Sequence, residues 1–237
     1  MIPADTHLQI GALIFENLDQ MDLTGPFEVL SRVPNSTYRI FGKTAAPVRD
    51  GRGLRLTPDA ALAEAPQLDV LHVPGGGGQE GVMDDDEVIG WVRKQAQGAR
   101  LVFSVCTGAL ILGAAGLLKG RHATTHWNSF HLLPLFGAIP VNRRVVIDDT
   151  FVFASGVTSG IDGALRVASM LRGDEAAQVL QLGMQYAPEP PFASGTPATA
   201  PAAILANARH AVRAITAQRE QTARRVAQRL GVAVAAS

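Results

Sequence analysis

The sequence predicts an α/β fold in which a mostly parallel central sheet is covered by helices. Short apolar or β-branched runs alternate along the chain with longer segments of helical periodicity, a pattern typical of this class. One such run, at residues 69–73, ends abruptly at Pro74 and four glycines. The 237 residues are 47% hydrophobic, so the chain is long and apolar enough to bury a sizeable core without disulfides.

Each element of the first half is predicted from a local pattern. Strands are predicted at residues 7–15, 38–44, 53–57 and 69–73. Residues 25–32 have Pro26 near their start and apolar residues at helical spacing, which predicts a short helix after a turn at residues 22–24. Three acids open the helix predicted at residues 84–97, where they suit the positive end of the helix dipole.

The second half continues the alternation and then changes composition. Strands are predicted at residues 101–105 and 122–127, a hairpin at 143–154, and helices at 107–118, 161–171 and 202–230. Five prolines among residues 187–201 predict an extended arm. We therefore divide the chain into an α/β domain, residues 1–186, and an arm with a C-terminal helix, residues 187–237, that packs on the domain or on a dimer partner.

The last predicted helix is amphipathic and basic. Its apolar stripe consists of Ala208, Val212, Ile215, Val226 and Leu230. The arginines are expected mainly outside this stripe: Arg209, Arg213, Arg219, Arg224, Arg225 and Arg229. Such a helix would suit nucleic acid or a membrane surface, but docked helices also carry charged outer faces. Because the whole chain is neutral, we favour docking on its own domain or on a second subunit.

Charge and cysteine content disfavour several functional classes. The 21 basic residues balance 21 acidic ones, so the chain lacks the positive excess that attracts nucleic acid or anionic membranes. A single cysteine excludes an intramolecular disulfide and suits the reducing cytoplasm. The N-terminus lacks a basic start, and its apolar stretch is too short to span a bilayer. We expect a cytoplasmic protein with a small neutral partner, and neither nucleic acid nor membrane.

Cys106 is the strongest candidate for a reactive residue. It stands between the strand at residues 101–105 and a helix of small residues, which is the arrangement of a nucleophile elbow. The amides and dipole of the helix N-terminus would stabilise a thiolate and lower the pKa of the thiol. Free cysteines are usually small buried hydrophobes, but the strand-to-helix position favours a nucleophile here.

The glycine-rich turn at residues 74–78 has two interpretations. Its unobstructed backbone amides suit an anion-stabilising loop beside the nucleophile. Gly76, Gly78 and Gly81 also match the dinucleotide fingerprint G-x-G-x-x-G, but no acidic residue follows about twenty residues later. We favour the first interpretation and expect no cofactor.

Asp22 and three histidines are the other polar candidates. Asp22 follows the first strand and would share the carboxyl edge of a parallel sheet with Cys106, although a turn or helix-capping role explains Asp22 as well. His122, His126 and His131 lack a nearby carboxylate or cysteine pair, so we expect packing or hydrogen bonding and no metal. His126 also suits the histidine of a Cys–His dyad.

Together these motifs resemble the ThiJ/PfpI superfamily and, within it, the isocyanide (isonitrile) hydratase family. The matching stretches are MDLTGPFEVL at 21–30, LDVLHVPGGGG at 68–78, SVCTGALILGAAGLLKGRHATTHW at 104–127, ASGVTSGIDGALRVA at 154–168 and QLGMQYAPEPPFASGTPATAP at 181–201. The glycine turn and the cysteine elbow mark the superfamily. Asp22 with Cys106 and Thr107, the TTHW sequence and the arm point to the hydratase family.

The resemblance implies a flavodoxin-like three-layer sandwich that forms a homodimer and hydrates an isocyanide through a cysteine thioimidate. It implies that Cys106 is the nucleophile, that Asp22 is the acid and base, and that Thr107 orients substrate or water. The substrate pocket is assigned to Gly76, Gly77, Gly156, Val157 and His126. Val157 stands where an isoleucine would be familiar, which is a conservative departure from the family pattern.

Other functions of the superfamily remain as alternatives. PfpI-type peptidases carry a histidine directly after the cysteine, where this chain has Thr107, so a peptidase is disfavoured. A glyoxalase-like or deglycase-like enzyme acting on small carbonyls would use the same thiolate and acid. A redox sensor would use a low-pKa thiol. Regulators of the superfamily carry paired helix-turn-helix units, for which the roughly 35 residues after the arm are too few.

Overall fold

A seven-stranded sheet lies at the centre of the computed structural model, which describes residues 2–232. The strands are β1 Leu8–Ile14, β2 Ser36–Gly42, β3 Val48–Arg49, β4 Arg55–Leu56, β5 Ala60–Ala61, β6 Val70–Val73, β7 Leu101–Val105, β8 His122–Ala123, β9 Ile139–Pro140, β10 Val145–Asp148 and β11 Phe151–Ala154. The α-helices are α1 Gln20–Leu30, α2 Gln79–Val82, α3 Asp86–Gly98, α4 Gly108–Ala114, α5 Ser159–Arg172, α6 Asp174–Gly183 and α7 Ala202–Arg229. Two 3-10 helices lie at Leu62–Glu64 and Phe130–Phe136.

The strand order of the sheet is β10-β11-β7-β6-β1-β2-β5. All neighbouring strands in it are parallel except β10, which forms the predicted antiparallel hairpin with β11. The inner strands β2-β1-β6-β7-β11 follow the 2-1-3-4-5 order of flavodoxin-like sheets. The switch point between β1 and β6 is where such sheets place their ligand sites, at the carboxyl ends of the strands.

Two hydrophobic cores lie on opposite faces of the sheet. One core joins the sheet to α3, α4 and the end of α7, through side chains such as Val92, Ile111 and Val226. The other joins it to α1, α5 and α6, through side chains that include Val29 and Val167. Because consecutive strand residues point to opposite faces, a strand that is apolar throughout fills both cores. This arrangement confirms the flavodoxin-like three-layer sandwich.

Helix α1 begins at Gln20, so the predicted turn at residues 22–24 and a helix start at residue 25 are wrong. Asp19 is the N-cap, and its Oδ1 accepts a hydrogen bond from the amide of Met21 at 3.0 Å. Asp22 therefore belongs to the first helical turn of α1. It is neither part of a loop nor the N-cap of the helix. Pro26 lies inside the helix rather than at its start.

The strand predicted at residues 122–127 is also too long. Only the first two of these residues form a strand, β8, which pairs with β9. The chain then turns, because the hydroxyl of Thr125 bonds to the Cys106 carbonyl at 2.7 Å and the His126 carbonyl accepts the amide of Ser129. His126 consequently lies in a turn rather than on a strand. Helix α6 was not predicted, and only Gly173 separates it from α5.

The arm at residues 187–201 contains no helix or strand, as predicted. Helix α7 follows it and has two different halves. Its first half is largely exposed, whereas Thr222, Ala223, Val226 and Ala227 of the second half are buried against the domain. Within residues 2–232, no helix is both long enough and apolar enough to cross a membrane.

Candidate active site

Three neighbouring strands bring the candidate catalytic residues to one edge of the sheet. Asp22 lies in α1, which follows β1; Gly75 follows β6; and Cys106 directly follows β7. Because these strands are parallel, their carboxyl ends meet at the same edge. Cys106 and Asp22 are both buried there, with 6% and 0% of their surfaces exposed.

Cys106 occupies a strained turn. Its φ angle of 56° lies in the left-handed region, which costs a non-glycine residue on the order of 1–3 kcal/mol. Two hydrogen bonds hold the turn: the Cys106 amide donates to the Ala154 carbonyl at 2.9 Å, and the Thr125 hydroxyl donates to the Cys106 carbonyl at 2.7 Å. Gly108 lets α4 start close to β6, because a Cβ there would lie 2.1 Å from the Val73 carbonyl oxygen. These features are those of a nucleophile elbow.

The glycine turn holds the side chains on either side of the nucleophile. The Gly75 amide donates to Asp22 Oδ2 at 2.9 Å, and the Gly76 amide donates to Thr107 Oγ1 at 3.0 Å. A Cβ on Gly75 would lie 2.5 Å from the Thr107 amide nitrogen, so only glycine permits this approach. Both amides are already bonded, so the prediction that they stabilise an anion of the substrate is wrong for Gly75 and Gly76. The turn instead positions Asp22 and Thr107.

Burial dominates the electrostatics of Asp22. The pKa of the carboxyl is raised from 3.8 to about 8, mainly by burial and also by the nearby charge of Asp19, against smaller opposing effects of the Gly75 amide and the Cys106 side chain. Asp22 Oδ1 has no hydrogen-bond partner among the described residues. A carboxyl with a pKa near neutrality can give up a proton and take one back during a reaction.

The predicted lowering of the Cys106 pKa is wrong. Burial raises the pKa of the thiol well above its ordinary value, and the negative charge of Asp22 adds to this. The Thr107 amide and the positive charge of Arg219 act in the opposite direction. The thiol therefore keeps its proton until a neighbouring group accepts it, and Asp22 is the acidic residue with the largest electrostatic effect on it.

Three of the predicted pocket residues, His126, Gly156 and Val157, line a large cleft, whereas Gly76 and Gly77 do not. These three residues and Thr125 form one wall of a cavity of about 1240 Å³, and the arm and α7 form the opposite wall. Cys106 is not on the wall itself but lies directly behind it, because Thr125 bonds to its carbonyl and Val157 packs against the same core. These residues thus lie between the cleft and the nucleophile.

Gly77 and His126 are less closely tied to the nucleophile. Gly77 is exposed at the tip of the glycine turn. The His126 ring bonds to Asn128 Oδ1 at 2.8 Å rather than to Cys106, and burial lowers the pKa of the ring, so it is neutral at pH 7. This geometry does not form the Cys–His dyad suggested by the sequence.

Residues 2–232 contain no cluster of histidine, cysteine and acidic side chains suited to a metal ion. Two of the three candidate histidines have different neighbours. His122 lies 3.9 Å from Asp148, whereas His126 faces Asn128.

Arg219 is a site residue that the sequence analysis missed. The sequence predicts Arg219 on the solvent side of α7. Instead it is 4% exposed and donates to the Gly76 carbonyl at 2.7 Å. Its spacing from Ile215 and Thr222 continues the buried stripe of the helix. An arginine at a stripe position is the sequence signal that would have identified it.

The chain is similar to several known proteins. A model described as the DJ-1/PfpI family matches residues 9–170. Isonitrile hydratase of Pseudomonas putida is 49% identical over 202 residues, which cover 85% of this chain and 89% of that protein. Glutathione-independent glyoxalase DJR-1.2 of Caenorhabditis elegans is 26% identical over 59% of this chain and 75% of that protein. A crystal structure of a ThiJ/PfpI family protein from Pseudomonas syringae superposes with a TM-score of 0.90 and 36% identity, covering 94% of this chain and 93% of that one.

Proposed function

The chain belongs to the DJ-1/PfpI family, and from this premise we propose that it is an isocyanide hydratase, a hydro-lyase that converts R–NC and water into an N-substituted formamide. The observation that carries the proposal is that Asp22 and Cys106 are both buried at the carboxyl edge of the sheet, with Asp22 held by the Gly75 amide and Cys106 held in a left-handed turn. The relatedness to isonitrile hydratase of Pseudomonas putida supplies the substrate class. The weaker likeness to a glyoxalase extends over a smaller part of the chain.

The first half of the reaction forms a covalent intermediate. The sulfur of Cys106 attacks the terminal carbon of the isocyanide while its proton passes to ionised Asp22. Asp22 then gives the proton to that same carbon. The product is a thioimidate, R–N=CH–S, attached to Cys106, and no oxyanion forms in this step. Because the pKa of Asp22 is about 8, it both accepts and returns a proton at low energetic cost near neutral pH.

The second half releases the formamide. Asp22 removes a proton from a water molecule as the water oxygen attacks the thioimidate carbon, and it passes that proton to the nitrogen. The carbon–sulfur bond then breaks as the carbonyl of R–NH–CHO forms, and Asp22 takes the proton of the former hydroxyl group and returns it to the Cys106 sulfur. Thr107 follows the nucleophile directly, and its hydroxyl is fixed by both the amide and the carbonyl of Gly76. We assign it the orientation of substrate or water.

Gly156 and Val157 line the cleft, and we assign to a small neutral substrate an approach to Cys106 from their side. Its wall also carries apolar side chains, among them Trp127, Phe130 and Val212, which would contact an apolar R group. We retain Gly76, Gly77, Gly156, Val157 and His126 as the proposed substrate-binding residues. For Gly76 the proposal is a position at the pocket border, because its amide is already bonded to Thr107.

We also propose that the enzyme is a cytoplasmic homodimer. The first half of α7 and the arm expose apolar side chains, including Phe192 at 79% and Ile204 at 53%, which a second copy would cover. On this basis residues 1–186 form the catalytic domain and residues 187–237 supply contacts to the domain and to the partner. A single thiol that must stay reduced supports a reducing compartment.

The proposed reaction is tested by offering two substrates in parallel. Purified protein is incubated with para-nitrophenyl isocyanide or with methylglyoxal, and the formamide and lactate are quantified by liquid chromatography. We expect formamide formation that depends on enzyme concentration and a much slower conversion of methylglyoxal. Lactate formation without formamide would instead support the glyoxalase alternative and contradict the hydratase.

A further inference from the structure

Arg219 of α7 is a buried cation without a carboxylate partner. It is 4% exposed, and it makes no ion pair with any acidic residue among those described. Other arginines of the same helix form exposed pairs, such as Arg224 with Glu220 and Arg225 with Asp84. Burying an unpaired charge is costly, so a buried arginine of this kind requires an explanation.

The contacts of Arg219 lead to the nucleophile. One guanidinium nitrogen donates to the Gly76 carbonyl at 2.7 Å, and another lies 3.5 Å from the Ser129 hydroxyl. Arg219 Nε is buried and has no hydrogen-bond partner among the described residues. The same Gly76 carbonyl accepts the hydroxyl of Thr107, which adjoins Cys106. Only one residue, Gly76, therefore separates the guanidinium from the side chain that follows the nucleophile.

Glycine residues 75 and 76 join three parts of the site to α7. The Gly75 amide binds the Asp22 carboxylate, and its carbonyl accepts the amide of Asp19. Gly76 binds Thr107 through its amide and Arg219 through its carbonyl. Arg219 thus bonds to the same short turn that holds the acid-base residue and the residue after the nucleophile.

We propose that Arg219 is a positioning residue for catalysis, which holds the glycine turn against Thr107 and offsets the negative charge that develops on Cys106. Arg219 lies outside residues 9–170, the segment matched by the family model, so the C-terminal helix completes a site that the central domain begins. The role of Arg219 in turnover rests on the proposed hydratase function, whereas its effect on ionisation of the Cys106 thiol is independent of that function.

The charged and titratable groups around Cys106 are few. Asp22 and Asp19 approach from α1 and disfavour the thiolate, whereas Arg219 from α7 favours it. His126 lies within electrostatic range of Arg219 and Asp19 and is neutral at pH 7. Glu80 lies near Arg219, but its carboxylate oxygens bond to Gln218 and Thr222. Arg219 thus contributes a positive charge that favours a thiolate at Cys106.

The experiment measures thiol ionisation directly, because the chain has a single cysteine. The rate of Cys106 alkylation by iodoacetamide is recorded against pH for wild type, Arg219→Met and Arg219→Lys. We expect Arg219→Met to move the midpoint of the profile upward by about one pH unit, because a neighbouring positive charge is lost. Arg219→Lys keeps the charge and should shift the midpoint much less.

Arg225→Met is the matched control. Arg225 belongs to the same helix, its guanidinium pairs with Asp84 at 2.7 Å, and its side-chain hydrogen bonds go to Asp84 and Thr222 rather than to the glycine turn. Its alkylation profile should equal that of wild type. With para-nitrophenyl isocyanide, Arg219→Met should lower kcat roughly 10-fold to 100-fold with a smaller change in KM, as expected for a lost electrostatic contact. A loss of turnover without any shift in the alkylation midpoint would overturn the proposed charge effect.

Arg219→Gln provides a second neutral variant if Arg219→Met does not fold. Glutamine retains a hydrogen-bond donor for the Gly76 carbonyl but removes the charge. A raised alkylation midpoint in folded Arg219→Gln supports the proposal, whether or not isocyanide is the substrate. A midpoint equal to that of wild type in a folded neutral variant contradicts it.

Discussion

At the scale of single residues, Asp22 combines a functional advantage with a cost in stability. Its burial raises the pKa of the carboxyl to about 8, which suits a group that must accept and return a proton. The same burial disfavours the ionised form in the folded protein. Asp22 is thus a residue whose environment favours chemistry over stability.

The replacement Asp22→Asn should remove the loss of stability that comes from burying an ionised carboxylate. The carboxyl has a pKa of 3.8 in the unfolded chain and about 8 in the folded protein, so the folded state of wild type loses stability as the pH rises from about 4 to about 8. Asparagine still accepts the Gly75 amide but does not ionise. We expect Asp22→Asn to have a Tm about 5 °C higher than wild type at pH 8, and little difference at pH 4.

Differential scanning calorimetry at both pH values measures this effect, and the comparison at pH 4 is its internal control. The same variant should lose nearly all formamide production. A Tm difference that is equal at pH 4 and pH 8 would show that ionisation of Asp22 does not limit stability.

Sequence identified two of the central residues and missed a third. Cys106 and Asp22 could be predicted because each follows a strand at the same edge of a parallel sheet. The pKa of Cys106 could not, because burial is a property of the folded molecule and outweighs the local effect of the helix N-terminus. Arg219 reaches Gly76 across 143 positions of sequence, a contact that only the docking of α7 creates.

At the scale of elements, the approach of α4 to β6 determines the position of the nucleophile. Gly108 begins α4, and a Cβ there would lie 2.1 Å from the Val73 carbonyl oxygen and 2.9 Å from the Pro74 carbonyl oxygen. Both oxygens belong to the backbone, so relieving the contact would require a shift of the main chain. The close contact fixes the turn that holds Cys106 in its left-handed conformation.

The replacement Gly108→Ala should therefore reduce both stability and activity. We expect a loss of about 1–3 kcal/mol in the free energy of unfolding, as for other overpacked sites. Urea unfolding measures it, and a lower kcat should accompany it because the Cys106 turn is displaced. Gly81→Ala in α2 is the matched control, since no described atom lies within 4 Å of the added Cβ. Equal effects of the two replacements would contradict this role of Gly108.

Element boundaries were less predictable than the elements themselves. Pro26 predicts a first turn of α1 at residue 25, whereas the N-cap is Asp19. The strand at residues 122–127 was overextended because the bond from Thr125 to Cys106, which turns the chain, is a tertiary contact. In both cases a single hydrogen bond sets the boundary of the element, and hydrophobic periodicity does not reveal that bond.

At the scale of the whole molecule, the order of layers followed from the sequence because strands and helices alternate along it. The packing of α7 could not be predicted from the sequence, because its apolar stripe could pack equally on its own domain or on a second copy of the chain. The structure shows that its second half packs on the domain. Its first half and the arm leave apolar side chains exposed, such as Ile204 and Phe192.

We expect these exposed side chains to be covered in a homodimer. Light scattering coupled to size-exclusion chromatography should give a mass twice that of the 25.0 kDa chain. The double replacement of Phe192 and Ile204 by serine should shift the protein towards monomer, since large exposed apolar patches mark interfaces. The control is Val179→Ser, at an equally exposed apolar site on α6. A wild-type monomer at micromolar concentration would contradict the proposed assembly.

A covalent thioimidate between Cys106 and an isocyanide would be visible by intact-protein mass spectrometry. Wild type and Cys106→Ala are mixed with para-nitrophenyl isocyanide, quenched in acid at short times and weighed, and formamide is quantified in the same samples. We expect a transient mass increase of one isocyanide molecule on the wild-type protein, with neither adduct nor formamide from Cys106→Ala. Formamide production by Cys106→Ala at the wild-type rate would contradict it.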